Sequence, residues 1–159
     1  MTRRSGAVCR AACLVEGAAE GIAEVLNAPL SLWGGMDPAT GVVIDRHHPQ
    51  WGAGLTGRIL VMPSGRGSSS SSSVLAEAIR TGMGPAGIVL AEPDEIVVLG
   101  ALVAAELYDA TVPVVVVDGD GYVRLRTGDL VRIAAGPGGA SLEWVGHVDD
   151  VPPGPARSD

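Results

Sequence analysis

Three short apolar runs, GRILVMP at 57 to 63, AGIVLAEP at 86 to 93 and VPVVVVD at 112 to 118, are bounded by glycine, proline or acidic residues. A run of that length with no polar face predicts a buried strand. Between the first and second, Val74, Leu75, Ala78 and Ile79 recur at helical spacing, with Gly82 placed to end the helix. Between the second and third, DEIVVLGALVAAEL (94 to 107) predicts a nearly all-apolar helix with Asp94 as its N-cap. Strand, helix, strand, helix, strand implies right-handed crossovers and a parallel sheet.

The flanks follow a different grammar. From Cys9 to Leu26, Ala12, Val15, Ala19, Ile22 and Val25 approximate a helical stripe, but Gly17 and Gly21 interrupt it and CLVEG suits a strand; periodicity does not decide between them. The segment from Asn27 to Gly57 is long, polar and glycine-rich. Long loops of this sort are functional or disordered, and the embedded Trp33 and Trp51 argue for order. Beyond Asp118, YVRLR, DLVRIA and SLEWVGH are short segments separated by glycine-rich turns, which predicts antiparallel hairpins, with DGDG (118 to 121) as a hairpin turn. The expected fold class is α/β, a parallel strand-helix-strand part joined to an antiparallel, barrel-like part. A single domain is expected over residues 1–150, with 151–159 as a flexible tail.

Composition narrows the function classes. The chain has 159 residues, a formal charge of -7 and no phenylalanine, so its core is built from Val, Ile, Leu and Ala. No cluster of basic residues is long enough to neutralise several phosphates, which argues against nucleic acid as a partner. No apolar run reaches the roughly 18 residues of a membrane span, and the chain reads as cytoplasmic. Cys9 and Cys13 are the only cysteines. Two thiols cannot complete a zinc site or an iron-sulfur cluster, so they read as small hydrophobes, and this chain alone is expected to bind no metal.

Six consecutive serines, Ser68 to Ser73, lie between Gly65-Arg66-Gly67 and the first predicted helix. A serine tract can be a spacer, but this one is flanked immediately by a buried strand and an amphipathic helix, where a spacer has no place. One of Ser68 to Ser70 suffices to cap the helix. The remaining hydroxyls, the unpaired amides of a helix start and the Arg66 guanidinium together suit a carboxylate or phosphate. Familiar anion loops fit poorly: the third glycine of a dinucleotide fingerprint is a serine here, no lysine precedes the serines as in a P-loop, and no G-x-S-x-G elbow occurs.

The order LWGGMDP, then HP, then GRGSSSSSS resembles the swivel domain, or small subunit, of aconitase X, a hydro-lyase branch of the aconitase superfamily. The resemblance covers about residues 29 to 117. It implies a swivelling β/β/α domain and makes strands of the ambiguous N-terminal stretch. It also implies a large subunit that carries an iron-sulfur cluster, whose iron acts as Lewis acid on the departing hydroxyl. This chain is then the small subunit of a heteromeric enzyme, inactive by itself. In the family a serine of the swivel domain removes the proton from carbon, from a glycine-serine-serine turn at a helix start. That turn matches Gly67, Ser68 and Ser69, so Ser68 is the expected base, with Arg66, Gly67, Ser69 and Ser70 contacting substrate. Classical members carry arginine where this chain has Ser70, which leaves the roles within the run open.

Asp37, Asp45 and His48 are expected to order the long loop or to meet the partner, His48 because the HP step matches the family pattern. Two substrates follow from the resemblance, cis-3-hydroxy-L-proline and mevalonate 5-phosphate, the latter used by phosphomevalonate dehydratases. An alanine- and glycine-heavy composition with arginine over lysine fits a high-GC bacterial source and tilts the reading to hydroxyproline. The rival class is a non-catalytic module that binds small anions or a partner protein through the same loop.

Overall fold

The computed structural model describes residues 5–150; the expected tail, 151–159, lies outside them. Seven strands close into a barrel in the order β1-β5-β4-β3-β2-β6-β7, with β7 returning to β1. The strands are β1 (Val8–Val15), β2 (Gly17–Val25), β3 (Ile59–Met62), β4 (Gly87–Leu90), β5 (Val114–Val117), β6 (Asp129–Gly136) and β7 (Gly139–His147). A short turn, α1 (Leu32–Gly35), in which Trp33 and Gly34 depart from helical geometry, precedes β3; α2 (Ser71–Arg80) and α3 (Glu95–Tyr108) connect β3 to β4 and β4 to β5; and α4 (Gly119–Tyr122) follows β5. Strands β2 to β5 pair in parallel, and the other pairings are antiparallel.

The apolar runs are continuous because the three central strands are covered on both faces. Ile59, Val61, Val89, Val115 and Val117 point into the barrel with Ile133, Leu142 and Trp144. Their neighbours Leu60, Met62, Ile88, Leu90 and Val114 point outward, under Leu75, Ala78 and Ile79 of α2 and Val97, Ala101 and Ala104 of α3. The barrel interior is narrow: a Cβ on Gly87 would lie 2.9 Å from Ile133 Cδ1 and 3.1 Å from Ile59 Cδ1. The space beside Gly87 is thus filled by aliphatic side chains. No helix among the described residues is long and apolar enough to cross a membrane.

The helices form as their sequences predict. Asp94 caps α3 by accepting the amides of Ile96 and Val97 at 3.0 Å each. Helix α2 ends where Gly82 takes a φ of +77° and the amides of Met83 and Gly84 fold back to the Ala78 carbonyl.

Three readings are resolved or corrected. Cys9 to Leu26 is β1 and β2, as the family resemblance implies; β1 leans on β5 and β7, and β2 on β3 and β6, so tertiary pairing overrides the helical stripe. DGDG is not a hairpin turn. Asp118 accepts the Gly121 amide at 2.9 Å and caps the short α4 instead. YVRLR likewise forms no strand: Leu125 is buried with the barrel core, Arg124 lies over the Trp144 ring, and the Arg126 amide bonds Asp129 Oδ2 at 2.9 Å. Only DLVRIA and SLEWVGH make the expected hairpin.

The long loop is ordered, but not by its tryptophans. Trp33 and Trp51 are 58% and 60% exposed, whereas Leu30, Leu32, Met36, Val43 and Leu55 are buried against the outer core. Isolated bridges between Met36 and Val43, Val42 and Gly54, and Leu30 and Gly65 complete the tie.

Candidate functional site

The serine run begins at the carboxyl end of β3, and the segment before α3 begins at the carboxyl end of β4. The two turns are joined where the amides of Ala91 and Glu92 both donate to the Pro63 carbonyl at 3.1 Å. In sheets of parallel strands this is the edge where ligands collect.

Gly67 opens the run with φ +80°, a left-handed conformation that favours glycine and turns the chain into the helix start. Ser68 then behaves as the working N-cap. Its Oγ accepts the Ser70 amide at 3.1 Å and its carbonyl accepts the Ser71 amide at 3.0 Å, so helical geometry is established by Ser70, before α2 formally begins. Among the described residues, the amides of Gly67, Ser68 and Ser69 donate to no protein acceptor. They lie at the positive end of a ten-residue helix, on residues that are exposed at Gly67 and Ser69 and half-buried at Ser68.

The hydroxyls of the run divide into two groups. Ser71 is buried, 5% exposed, and its Oγ accepts the Trp33 amide at 3.0 Å. Ser72 Oγ turns back to the Ser69 carbonyl at 2.8 Å. These two are committed to holding α1 and the helix start. Ser69, Ser70 and Ser73 are exposed, and Ser68 is half-buried. Arg66, exposed, is held in place by its own amide, which bonds the Leu30 carbonyl at 3.2 Å. A small cleft opens beside the loop, with Arg66, Gly67, Ser71, Leu30 and Leu32 among its lining residues.

The loop residues Asp37, Asp45 and His48 are placed apart from the serines. Asp37 Oδ1 accepts the Ala39 amide at 2.9 Å in a turn whose Thr40 and Gly41 pack onto Thr56 and Met83. Met83 lies just past the C-terminal end of α2, and Ser71 at its start, so the ten residues of helix, about 15 Å long, separate Asp37 from the serine loop. Asp45 Oδ1 accepts the His47 amide at 2.9 Å. His48 is 7% exposed; its Nδ1 accepts the Gln50 amide at 3.0 Å, and its Nε2 then donates to the Ala28 carbonyl at 3.0 Å. Both ring nitrogens are used, and the ring pins the loop to the chain leaving β2.

Sequence reasoning missed Asp94 as part of this site, because its capping role already accounted for it. It lines the same cleft as Arg66. The signal available was positional: Asp94 follows β4 as Arg66 follows β3, at the same edge of one parallel sheet.

The described residues hold no group of three or more His, Cys, Asp or Glu side chains that could bind a metal ion. Cys9 and Cys13 are free and lie four residues apart on β1, roughly 13 Å along a strand. Burial pushes both thiols up, Arg124 opposing it at Cys9 and Glu16 adding to it at Cys13. That is the wrong direction for thiolate ligands. An iron-sulfur cluster does not fit on these two thiols, and the groups at the serine loop and its cleft are hydroxyls, amides, a guanidinium and the Asp94 carboxylate.

The pattern of the aconitase X swivel domain matches residues 8–142. Over 146 residues the chain is 48% identical to cis-3-hydroxy-L-proline dehydratase of Pseudomonas aeruginosa, covering 91% of this chain and 24% of that one. It is 42% identical over 117 residues to the phosphomevalonate dehydratase small subunit of Methanopyrus kandleri, covering 72% and 82%. The chain therefore spans about a quarter of the length of the first relative and most of the second. The crystal structure of Thermococcus kodakaraensis aconitase X in its holo-form superposes with a TM-score of 0.76 at 34% identity, over 87% of this chain and 98% of that one. With the closed barrel, the two covering helices and the serine turn already in view, these matches show that the chain belongs to the aconitase X swivel domain family.

Proposed function

We propose that this chain is the swivel subunit of a cytoplasmic, heteromeric dehydratase that removes water from cis-3-hydroxy-L-proline, with a larger subunit completing the active site and holding an iron-sulfur cluster. The observation that carries the reading is the start of α2: a half-buried Ser68 hydroxyl accepting an amide hydrogen bond, beside three amides with no protein acceptor. The substrate follows the relative at 48% identity.

In this reading the substrate carboxylate lies against the free amides of Gly67 to Ser69 and the Arg66 guanidinium, with Ser69 and Ser70 completing its hydrogen bonds. Ser68, as its alkoxide, takes the proton from the carbon next to that carboxylate. The carbon-hydrogen electron pair becomes the new double bond as the hydroxyl leaves the neighbouring carbon. The Ser70 amide points at Ser68 Oγ and stabilises negative charge there.

Those contacts are insufficient alone. A helix terminus stabilises an anion by at most ~2 kcal/mol, about one and a half pKa units. Serine needs far more, and the remaining help must come from Arg66 and the loop amides, whose pull on the alkoxide strengthens when the larger subunit excludes water. The half-reaction therefore belongs to the assembled enzyme.

The test is reconstitution with the large subunit under anaerobic conditions, with both cis-3-hydroxy-L-proline and mevalonate 5-phosphate offered. Ser68→Ala is expected to cut turnover of hydroxyproline at least a hundredfold while assembly, read by size-exclusion chromatography, is unchanged. Near-normal turnover would remove Ser68 from the chemistry. Arg66→Ala is expected to raise KM; an unchanged KM argues against an anion contact there. Turnover of mevalonate 5-phosphate alone would instead place the chain with the phosphomevalonate dehydratases, and failure to engage any large subunit would leave an anion-binding module.

A further inference from the structure

The cleft beside the serine loop has a feature that proton abstraction does not use. Leu30, Leu32, Ile96 and Val97 give it an apolar lining. Asp94 lines it too, and its two oxygens are differently occupied. Oδ1 accepts both amides of the α3 start. Oδ2 accepts no hydrogen bond among the described residues and lies over Gly65, where an added Cβ would come within 2.7 Å of it. Gly65, having no side chain, lets the Asp94 carboxylate sit close against its backbone where both line the cleft.

Helix capping explains Oδ1 and needs no charge, since serine and asparagine cap as well as aspartate. The charge is favourable at the positive end of α3, and Oδ2 still has no protein donor among the described residues. Of the residues lining the cleft, Arg66 is the one cation and Asp94 the one anion. Glu92 and Glu95 flank Asp94 and are exposed. A phosphate dianion entering here meets one guanidinium against a fixed carboxylate. A cyclic amino acid meets a better match, its carboxylate toward Arg66 and the free amides, its ring against the apolar walls, and its ammonium toward Asp94.

We propose that Asp94 Oδ2 binds the ammonium of a zwitterionic cyclic amino acid, and so selects that substrate over a phosphorylated hydroxy acid. The proposal rests on the dehydratase reading above and adds a specificity residue to it.

The test uses the reconstituted two-subunit enzyme carrying Asp94→Asn, which keeps the capping oxygen and removes the charge. KM for cis-3-hydroxy-L-proline is expected to rise tenfold or more with kcat changed less than threefold. Two inhibitors separate binding from structure. L-proline should weaken tenfold or more, while cyclopentanecarboxylate, a five-membered carbocycle with the same carboxylate but no ammonium, should keep its Ki. Should Asp94→Asn fail to assemble, Asp94→Ser, another uncharged cap, carries the same measurement. Equal weakening of both inhibitors, or an unchanged KM, overturns the role of Asp94 and leaves the dehydratase reading standing. A wild-type complex that does not turn over hydroxyproline overturns both.

Discussion

Ser68 and Ser71 lie three residues apart in one unbroken run, and their surroundings give them opposite roles. Ser71 Oγ is buried and accepts the Trp33 amide, so Ser71→Ala leaves that amide without its partner. Losing such a buried contact costs about 1–3 kcal/mol, and the thermal midpoint of the isolated chain is expected to fall by several degrees. Ser73→Ala, at an exposed position, is expected to leave it within a degree. Differential scanning calorimetry of the two variants checks the contrast. His48 is a second residue whose role is set by its partners: Ala28 and Gln50 occupy both ring nitrogens. His48→Ala is therefore expected to loosen the long loop, seen as faster hydrogen exchange of the Gln50 amide. Exchange at the wild-type rate would show that the loop is held by its aliphatic side chains alone.

At the scale of the element, helix α2 depends on how the chain enters it. Gly67 holds φ +80°, and Ser68 both caps the helix and presents its hydroxyl. Gly67→Ala puts a Cβ into the left-handed region at a cost of about 1–2 kcal/mol, although the space around it is open, with Ser31 Oγ nearest at 3.8 Å. The expected result is a modest loss of stability and a large loss of activity in the reconstituted enzyme, because the three amides and Ser68 Oγ move together. Activity that falls no further than stability does would detach the turn from the site. Helix α3 shows the complementary case. It is apolar nearly throughout, and its Gly100 lets the two helices approach so closely that an added Cβ would lie 2.8 Å from the Ser72 carbonyl. The serine loop is thus braced from behind by the second helix.

For the molecule as a whole, the barrel interior and the functional edge are separate regions. Gly87→Val would drive a branched side chain into Ile133 and Ile59. Overpacking of this kind costs about 1–3 kcal/mol. The variant is expected to melt earlier while KM in the assembled enzyme stays within twofold, because Gly87 starts β4 and the serine and Asp94 turns lie past its other end. A changed KM would mean that barrel strain reaches the site.

The three buried strands, the two long helices, both helix caps and the exceptional serine turn were all legible along the chain, because each is specified by neighbours within a few residues: unbroken apolar runs, a helical stripe, an aspartate before α3 and glycines at the turns. The motif order was legible too, since it depends on residue types in sequence. What local pattern could not supply was anything decided by partners far along the chain. Cys9 to Leu26 became strands because β5, β7, β3 and β6 stood ready to pair with them, and DGDG begins a short capped helix after which Leu125 enters the barrel core. The tryptophans stayed in solvent while aliphatic residues ordered the loop. Six identical serines carry no internal distinction in sequence; only the approach of Trp33 from 38 residues away buries Ser71 and leaves Ser68 at the surface of the site. Arg66 and Asp94 share a cleft for the same reason, since parallel pairing of β3 with β4 sets their two turns side by side.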